Sequence, residues 1–270
     1  MTTTDEADSL AAILGRMTRV DGGWRAPLPG SWMQGRTCFG GLSAALLLAV
    51  ARRDHDDLPP LRSALIGFTA PIGKPPLIRS RKLRQGRNVT TINAEARLGE
   101  QVVSTGDFAF GQARDSAIRV DCPAPEAPSP ETTEPLIPAG AEAFAPGFHR
   151  NFDMRLIEGD RPFSGSARGY MRGWVRHRNP ASRTGIESLM CLADILPPAV
   201  MPMFPRLGTN SSVTWICNFL DADPQTDDGW WQAETRLTAA RDGYSSQVMR
   251  MWDTEGRLVI EGMQSVLIFV

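Results

Sequence analysis

Two glycines and a solitary acid are the residues of this sequence whose types best suit catalysis. Gly40 and Gly41 open an apolar segment, and the start of a helix presents unpaired N–H groups and a positive dipole end. Such a site suits an oxygen that becomes anionic during a reaction, although the glycines equally suit tight packing of the helix start against a sheet. Asp194 is the acid in the otherwise apolar run 189–196. A carboxylate there costs free energy unless it is hydrogen-bonded or paired.

Asp194 also has a purely structural interpretation, as the cap of a short turn before Pro197-Pro198. That interpretation is weakened because an acid in the last turn of a helix meets the unfavourable end of the macrodipole. Gln264 is a second polar residue among apolar neighbours, in the last strand-like segment. Alternation alone predicts a surface position for Gln264.

Thiol and metal chemistry are disfavoured by the spacing of the cysteines and histidines. The four cysteines contain no C-x-x-C pair, so we expect free thiols rather than a disulfide framework or a zinc site. The three histidines are widely spread and have no histidine at i+4 and no nearby cysteine. We therefore expect neither a metal nor a cofactor.

Composition excludes several partners. Twenty-nine Lys and Arg against thirty Asp and Glu give a formal net charge of −1, which disfavours a nucleic acid or an anionic membrane as a partner. The longest apolar run, Ala44 to Ala51, has eight residues, whereas a membrane-spanning helix needs about twenty. The N-terminus carries acids rather than the basic and apolar regions of a secretory signal, so we expect a cytoplasmic protein.

A proline-rich segment divides the chain. Seven of the twenty-one prolines fall between Pro123 and Pro146, where a central strand or long helix cannot form. We therefore predict an N-terminal unit over residues 1–114, a linker over 115–146 and a C-terminal unit over 147–270.

Each unit has the same predicted order, an apolar helix followed by strands. Period-two alternation identifies the strands, and the prolines after Leu196 end the second helix. The predicted helices are Gly40–Arg53 and Gly185–Leu196. The predicted strands are Ser63–Thr69, Leu77–Leu83, Asn88–Leu98 and Val102–Phe110 in the first unit, and Ser212–Leu220, Trp230–Ala239, Ser245–Asp253 and Leu258–Phe269 in the second.

The two units are predicted to be an internal duplication. A shift of 157 positions superposes Gly86 on Gly243 and Gly99 on Gly256, so the turn glycines have equal spacing in both units. The same shift places Asp107 on Gln264. Two polar residues at one position indicate that both face a site.

The order and spacing of three motifs in the first unit resemble the acyl-coenzyme A thioesterase II (TesB-like) family. They are Gly35-Arg-Thr-Cys-Phe-Gly-Gly41 before a helix, Phe68-Thr-Ala-Pro-Ile72 at a strand end, and Arg84-Gln-Gly-Arg-Asn88 before a hairpin. The resemblance covers residues 20–112 and 150–270. It implies an α+β double hotdog fold, in which two antiparallel sheets each wrap a helix. The activity it implies is hydrolysis of an acyl-CoA thioester.

The resemblance also implies the site residues. In that family an Asp after the second helix, a Thr opening the next strand and a Gln on the last strand hold the attacking water. Asp194 and Gln264 match the first and last of these. The Thr position falls on Ser212, a departure that keeps the hydroxyl but loses the methyl group that stiffens χ1. An alignment slip of one to three residues would select Ser211 or Thr209 instead, and Thr214 stands where many members carry Asp.

Substrate binding is assigned to Gly40, Gly41 and Arg87. The glycines would contact the thioester carbonyl, while Arg87, with Arg36 and Arg84, would meet the phosphates of coenzyme A; exposed arginines beside turns are also ordinary solvated surface. The first helix has no acid, so one hydrolytic site per chain is expected.

Two other functions stay open at this stage. The first is binding of acyl-CoA by a hotdog protein that does not hydrolyse it. The second is a hydratase or dehydratase activity, although those enzymes generally use a catalytic His and neither predicted helix contains one. We also expect a homo-oligomer, because exposed sheet edges favour pairing.

Overall fold

The computed structural model describes residues 6–270. Helices are found at α1 (Leu10–Gly15), α2 (Gly40–Arg53) and α3 (Ile186–Leu192). Strands are found at β1 (Thr18–Val20), β2 (Gly23–Arg25), β3 (Met33–Gln34), β4 (Thr37–Cys38), β5 (Leu61–Phe68), β6 (Leu77–Gln85), β7 (Val89–Leu98), β8 (Gln101–Gly111), β9 (Phe152–Gly159), β10 (Tyr170–His177), β11 (Thr209–Phe219), β12 (Trp231–Arg241), β13 (Tyr244–Trp252) and β14 (Leu258–Phe269).

Within residues 6–270, twelve of these strands form one antiparallel sheet in the order β1-β2-β6-β7-β8-β5-β11-β14-β13-β12-β10-β9. The second half of this order repeats the first half in reverse, and the two halves join where β5 pairs with β11. Each half therefore consists of two strands, a helix and four strands. This is the predicted double hotdog.

Helix α2 has the predicted bounds, and its composition explains why the sheet wraps it. Ala, Leu and Val fill most of its length, and eleven of its fourteen residues are buried. Arg52 and Arg53 close the helix at the negative end of its dipole. At the other end Phe39 supplies no side-chain cap, so the N–H groups of the first turn lack a capping side chain.

Helix α3 is shorter than predicted, since it ends at Leu192 rather than Leu196. Pro197 disfavours a helical conformation at the residue before it, and its ring would clash with the carbonyl four residues earlier. Asp194 therefore lies beyond the helix, in a turn closed by the Ile195 N–H donating to the Leu192 carbonyl at 3.0 Å. Its carboxylate does not cap that turn.

The proline-rich segment is docked on the outer face of the C-terminal sheet. The indole N–H groups of Trp252 and Trp174 donate to the carbonyls of Cys122 and Pro128, both at 2.8 Å. The guanidinium of Arg172 donates to two more carbonyls of the same segment. Both faces of β10 are consequently buried.

Strands β9 and β10 were not predicted, and the second of them contains basic residues that are not part of an exposed turn. Arg176 and His177 belong to β10, where Arg176 is ion-paired with Asp153 at 3.0 Å. His177 is buried and donates to the Ser188 carbonyl at 2.8 Å. Burial lowers the pKa of His177 to about 4, so it is neutral at pH 7.

The two halves do repeat the same order of strands and helix, but the predicted equivalence of Asp107 and Gln264 is wrong. Gln264 is buried on the inner face of β14. Asp107 lies on the outer face of β8, where it accepts a hydrogen bond from Asn93. A shift of one residue moves a side chain to the opposite face of a sheet, and matching turn glycines do not fix that register.

Candidate active site

Asp194 and Gln264 meet where the turn after α3 reaches the inner face of β14. The Gln264 amide donates from Nε2 to Asp194 Oδ1 at 2.9 Å. Gln264 is buried, whereas Asp194 keeps partial solvent exposure. The two predicted residues, seventy positions apart in sequence, are therefore in direct contact beside solvent.

The first turn of α2 lies against the same carboxylate. A Cβ atom on Gly40 would lie 2.6 Å from Asp194 Oδ2, and one on Gly41 would lie 2.2 Å from the Cys191 carbonyl oxygen. Gly41 thus allows α2 and α3 to approach at backbone distance, while Gly40 leaves room for the acid. The start of α2 therefore packs against α3 as well as against the sheet. No side chain of the residue before α2 caps its first turn, and the Asp194 carboxylate lies at that turn.

The ionisation of Asp194 is set by opposing effects. Burial raises its pKa to about 7, and hydrogen bonds from the Gln264 side chain and the Gly41 backbone N–H oppose that rise. A carboxylate with a pKa near neutrality is a suitable general base, because it is substantially ionised at pH 7 and still has appreciable proton affinity.

A second glutamine, missed in the sequence, holds the first. Gln247 on β13 donates from Nε2 to Gln264 Oε1 at 2.8 Å and accepts from the Ala199 backbone N–H at 2.6 Å. Its side chain is buried. Alternation along β13 could have indicated that Gln247 is buried, because it shares its strand face with Met249 and Met251.

Ser212 lies on the inner face of β11, opposite Val266 and one diagonal step from Gln264. Such diagonal neighbours are roughly 7–8 Å apart, and in the described part of the chain Ser212 makes no side-chain hydrogen bond to Asp194 or Gln264. Strand parity places Thr209, Ser211 and Thr214 on the exposed outer side. Of the hydroxyl residues considered for this position, Ser212 is the one that shares the face of Gln264.

Trp215 is the inner-face neighbour of Gln264 across the β11–β14 pair. It is buried, and among residues 6–270 its indole N–H has no oxygen or nitrogen acceptor; the Cys217 sulfur lies close enough for the indole to oppose the rise in the thiol pKa. A thiol sulfur is only a weak acceptor, so a water or substrate oxygen would be a stronger partner for this N–H.

The cysteines around Asp194 are free, as predicted, and they are poor nucleophiles. Burial raises the pKa of Cys38 to about 12 and that of Cys191 and Cys217 well above the ordinary value. The charge of Asp194 adds to the rise for the latter two. These thiols stay protonated and line the apolar side of the site.

Arg87 is not brought to this site. It is exposed in the turn between β6 and β7, at the end of the sheet where Leu61 begins β5, whereas Phe68 at the other end of β5 contacts Gly40. Arg36 is exposed on the β3–β4 hairpin that leads directly into α2. The assignment of Arg87 to coenzyme A stays a prediction.

Two family models match the chain, one on each unit. The model of the acyl-CoA thioesterase N-terminal domain matches residues 28–111, and that of the acyl-CoA thioesterase C-terminal domain matches residues 120–268. The chain belongs to the acyl-CoA thioesterase family. This thioesterase is a thioester hydrolase whose substrate is an acyl-CoA, and the comparisons do not favour acyl-CoA binding without hydrolysis or a dehydratase activity.

Solved structures share the fold of the thioesterase along its length. A conserved protein of unknown function with a hot dog fold from Alicyclobacillus acidocaldarius has a TM-score of 0.84 at 22% identity, covering 100% of this chain and 99% of that one. A tesB protein from Mycobacterium avium subspecies paratuberculosis has a TM-score of 0.74 at 19% identity, covering 96% and 98%. An acyl-CoA thioesterase II from Mycobacterium marinum has a TM-score of 0.73 at 18% identity, also covering 96% and 98%. No curated protein matches the thioesterase sequence.

In the part of the thioesterase that the structure describes, no helix has the length and apolar character needed to cross a membrane.

Proposed function

We propose that Asp194 is the general base of acyl-CoA hydrolysis and that Gln264 orients it. The observation that carries the proposal is the contact of a carboxylate of raised pKa with a buried amide on one side and with the N-terminus of α2, where the Gly41 N–H donates to it, on the other. The base, from the C-terminal unit, and the electrophile-binding donors, from the start of α2 in the N-terminal unit, are then adjacent. A positioned base contributes a rate factor of about 10² to 10⁴.

The reaction needs no covalent intermediate. Asp194 accepts a proton from water as the water oxygen attacks the thioester carbonyl carbon, and the carbonyl oxygen becomes an oxyanion. The Gly40 N–H and the positive end of the α2 dipole stabilise that oxyanion. Collapse of the intermediate breaks the carbon–sulfur bond. The coenzyme A thiolate leaves and takes the proton from Asp194, which restores the carboxylate.

Ser212 is proposed as a second contact of the attacking water. Its position on the same strand face as Gln264 supports that role, and a serine hydroxyl can both donate and accept. The indole N–H of Trp215 is a further donor at this face.

The pH dependence of hydrolysis tests the base. We expect kcat/KM for thiol release from a panel of straight-chain acyl-CoA esters to rise with pH and to level off above about 7, because Asp194 must be ionised and its pKa is about 7. The acid limb of kcat/KM reports the free enzyme. A profile that is flat from pH 5 to pH 8 would exclude a base with this pKa.

We further propose the boundaries predicted above for the two units and the linker, and a cytoplasmic location. The cytoplasmic proposal is supported by the four free cysteines, which suit a reducing compartment.

We propose that the thioesterase is a homo-oligomer that associates through its outer sheet face. The β9 edge is covered, because the backbone of residues 134–136 pairs with it, and β1 at the other edge is short. On the outer face Val248, Met263, Ile216 and Leu65 form one cross-strand row, with Arg236 at one end and Asp107 at the other.

A two-fold axis through the middle of that row would place Arg236 of one copy on Asp107 of the other and would bury the apolar centre. Ile216 is exposed at this centre, so Ile216→Arg places like charges face to face. We expect this variant to be monomeric by light scattering. An unchanged mass, or a monomeric wild type, would contradict the proposed interface.

A further inference from the structure

We propose that Gln247 is a positioning residue that fixes the direction in which Gln264 presents its amide to Asp194. This inference rests on the proposed function, because it concerns how the general base is held. Gln247 acts through Gln264.

A continuous chain of hydrogen bonds runs from a backbone amide to the acid. The Ala199 N–H donates to Gln247 Oε1 at 2.6 Å, Gln247 Nε2 donates to Gln264 Oε1 at 2.8 Å, and Gln264 Nε2 donates to Asp194 Oδ1 at 2.9 Å. Gln247 is 1% exposed and Gln264 is 3% exposed. Water therefore does not compete for these two amides.

The first donor determines the polarity of the whole chain. A backbone N–H can only donate, so Gln247 must direct its oxygen at Ala199 and its NH₂ at Gln264. Gln264 must then direct its oxygen at Gln247 and its NH₂ at Asp194. Without Gln247, the Gln264 amide could turn over and place its oxygen against the carboxylate, where two acceptors repel each other.

The relay also joins the parts of the fold that carry the site. Asp194 and Ala199 belong to the segment after α3, while Gln247 and Gln264 lie opposite each other on β13 and β14. The segment that supplies the acid therefore also supplies the donor that orients its amide. This arrangement couples the position of Asp194 to the direction of the Gln264 N–H.

Two variants separate polarity from packing. In Gln247→Glu the ionised carboxylate accepts from both Ala199 and Gln264 and so reverses the Gln264 amide, whereas a protonated carboxyl group could still donate to it. We expect kcat at pH 7 to fall about 10- to 100-fold and the acid limb of kcat/KM to move up by about one to two pH units, the size expected from loss of one hydrogen bond to a charged group. Gln247→Leu removes the hydrogen bond that orients Gln264 without reversing the Gln264 amide, so we expect a smaller shift of the acid limb. KM stays near the wild-type value in both.

Gln232 offers a matched control. It is an equally buried glutamine on β12, but it faces the docked proline-rich segment and hydrogen-bonds Pro125 and Arg172. Gln232→Leu and Gln232→Glu are expected to keep the wild-type pH profile, which separates the relay from the general effect of changing a buried amide.

A double-variant cycle decides whether Gln247 acts through Gln264. In a Gln264→Leu background, Gln247→Leu is expected to cause no further loss of kcat, since the amide that it orients is gone. An equal loss in both backgrounds, or a wild-type pH profile in both folded Gln247→Glu and folded Gln247→Leu, would overturn the positioning role even if Asp194→Asn is inactive. An active Asp194→Asn enzyme would instead overturn the proposed function, and the inference with it.

Discussion

Asp194→Asn is expected to lower kcat about 10²- to 10⁴-fold, the contribution of a positioned general base. Asparagine has nearly the same shape and its oxygen can still accept from Gln264 Nε2, so the packing around α2 and α3 persists although the amide has one acceptor oxygen where the carboxylate has two. What is lost is the ability to take a proton from water. Thiol release measured at saturating acyl-CoA gives kcat directly.

The same variant is expected to remain folded, and the pKa of Asp194 determines whether the variant is more or less stable than the wild type. Because burial raises the pKa of Asp194 from 3.8 to about 7, the folded state binds a proton more tightly than the unfolded state, and Asp194 lowers stability as pH rises from about 4 to 7. Asp194→Asn removes this effect. Its melting temperature at pH 8 should equal or exceed that of the wild type.

Asp107→Asn is the matched control for this prediction. Asp107 lies on the outer face of the sheet, away from Asp194, where it accepts from Asn93 within the chain and belongs to the proposed interface; its replacement should therefore leave kcat unchanged. Wild-type activity in Asp194→Asn, or inactivity accompanied by unfolding, would contradict the role assigned to Asp194.

Gly40→Ala is the second substitution with a large expected effect. The added Cβ would lie 2.6 Å from Asp194 Oδ2 and 3.2 Å from the Phe68 ring, so the carboxylate must shift from its position beside the start of α2. A displacement of about 1 Å at a reacting group can cost about 10²-fold, and we expect a loss of that size in kcat/KM. Overpacking should lower the free energy of unfolding by about 1–3 kcal/mol.

Two other glycines calibrate that result. A Cβ on Gly30 would meet no atom within 4 Å, so Gly30→Ala should be neutral in both activity and stability. A Cβ on Gly41 would meet the Cys191 carbonyl at 2.2 Å, so Gly41→Ala should destabilise more than Gly40→Ala. Chemical denaturation and thiol release measure the two quantities separately. Full activity in Gly40→Ala would show that the start of α2 does not adjoin the reacting groups.

The elements whose bounds were predicted correctly are those with one clear hydrophobic pattern. Helix α2 is apolar up to its two closing arginines, β14 is a mostly apolar segment of strand length, and both have the predicted bounds. Strand β10 was missed because the docked proline-rich segment buries its second face, so arginine and tryptophan stand where polar surface residues are expected. Burial by a remote segment is a tertiary effect that a local pattern does not contain.

The sequence predicted only those site residues that are polar within an apolar segment and also match the family resemblance. Asp194 and Gln264 are polar residues in apolar segments and were found through the family resemblance, and the structure brings them into contact. Gln247 deviates in the same way but matched no motif. Arg87 was assigned from its charge and its place in a turn motif of the resemblance, and its contact with coenzyme A stays a prediction.

A crystal structure with a non-hydrolysable thioether analogue of acyl-CoA tests the central claim most directly. We expect the carbon that replaces the thioester carbonyl to lie between Asp194 and the first turn of α2. An ordered water should lie within about 2.6–3.2 Å of the Asp194 carboxylate and within reach of the Ser212 hydroxyl. An analogue whose reactive carbon lies away from Asp194, with no water between them, would contradict the account.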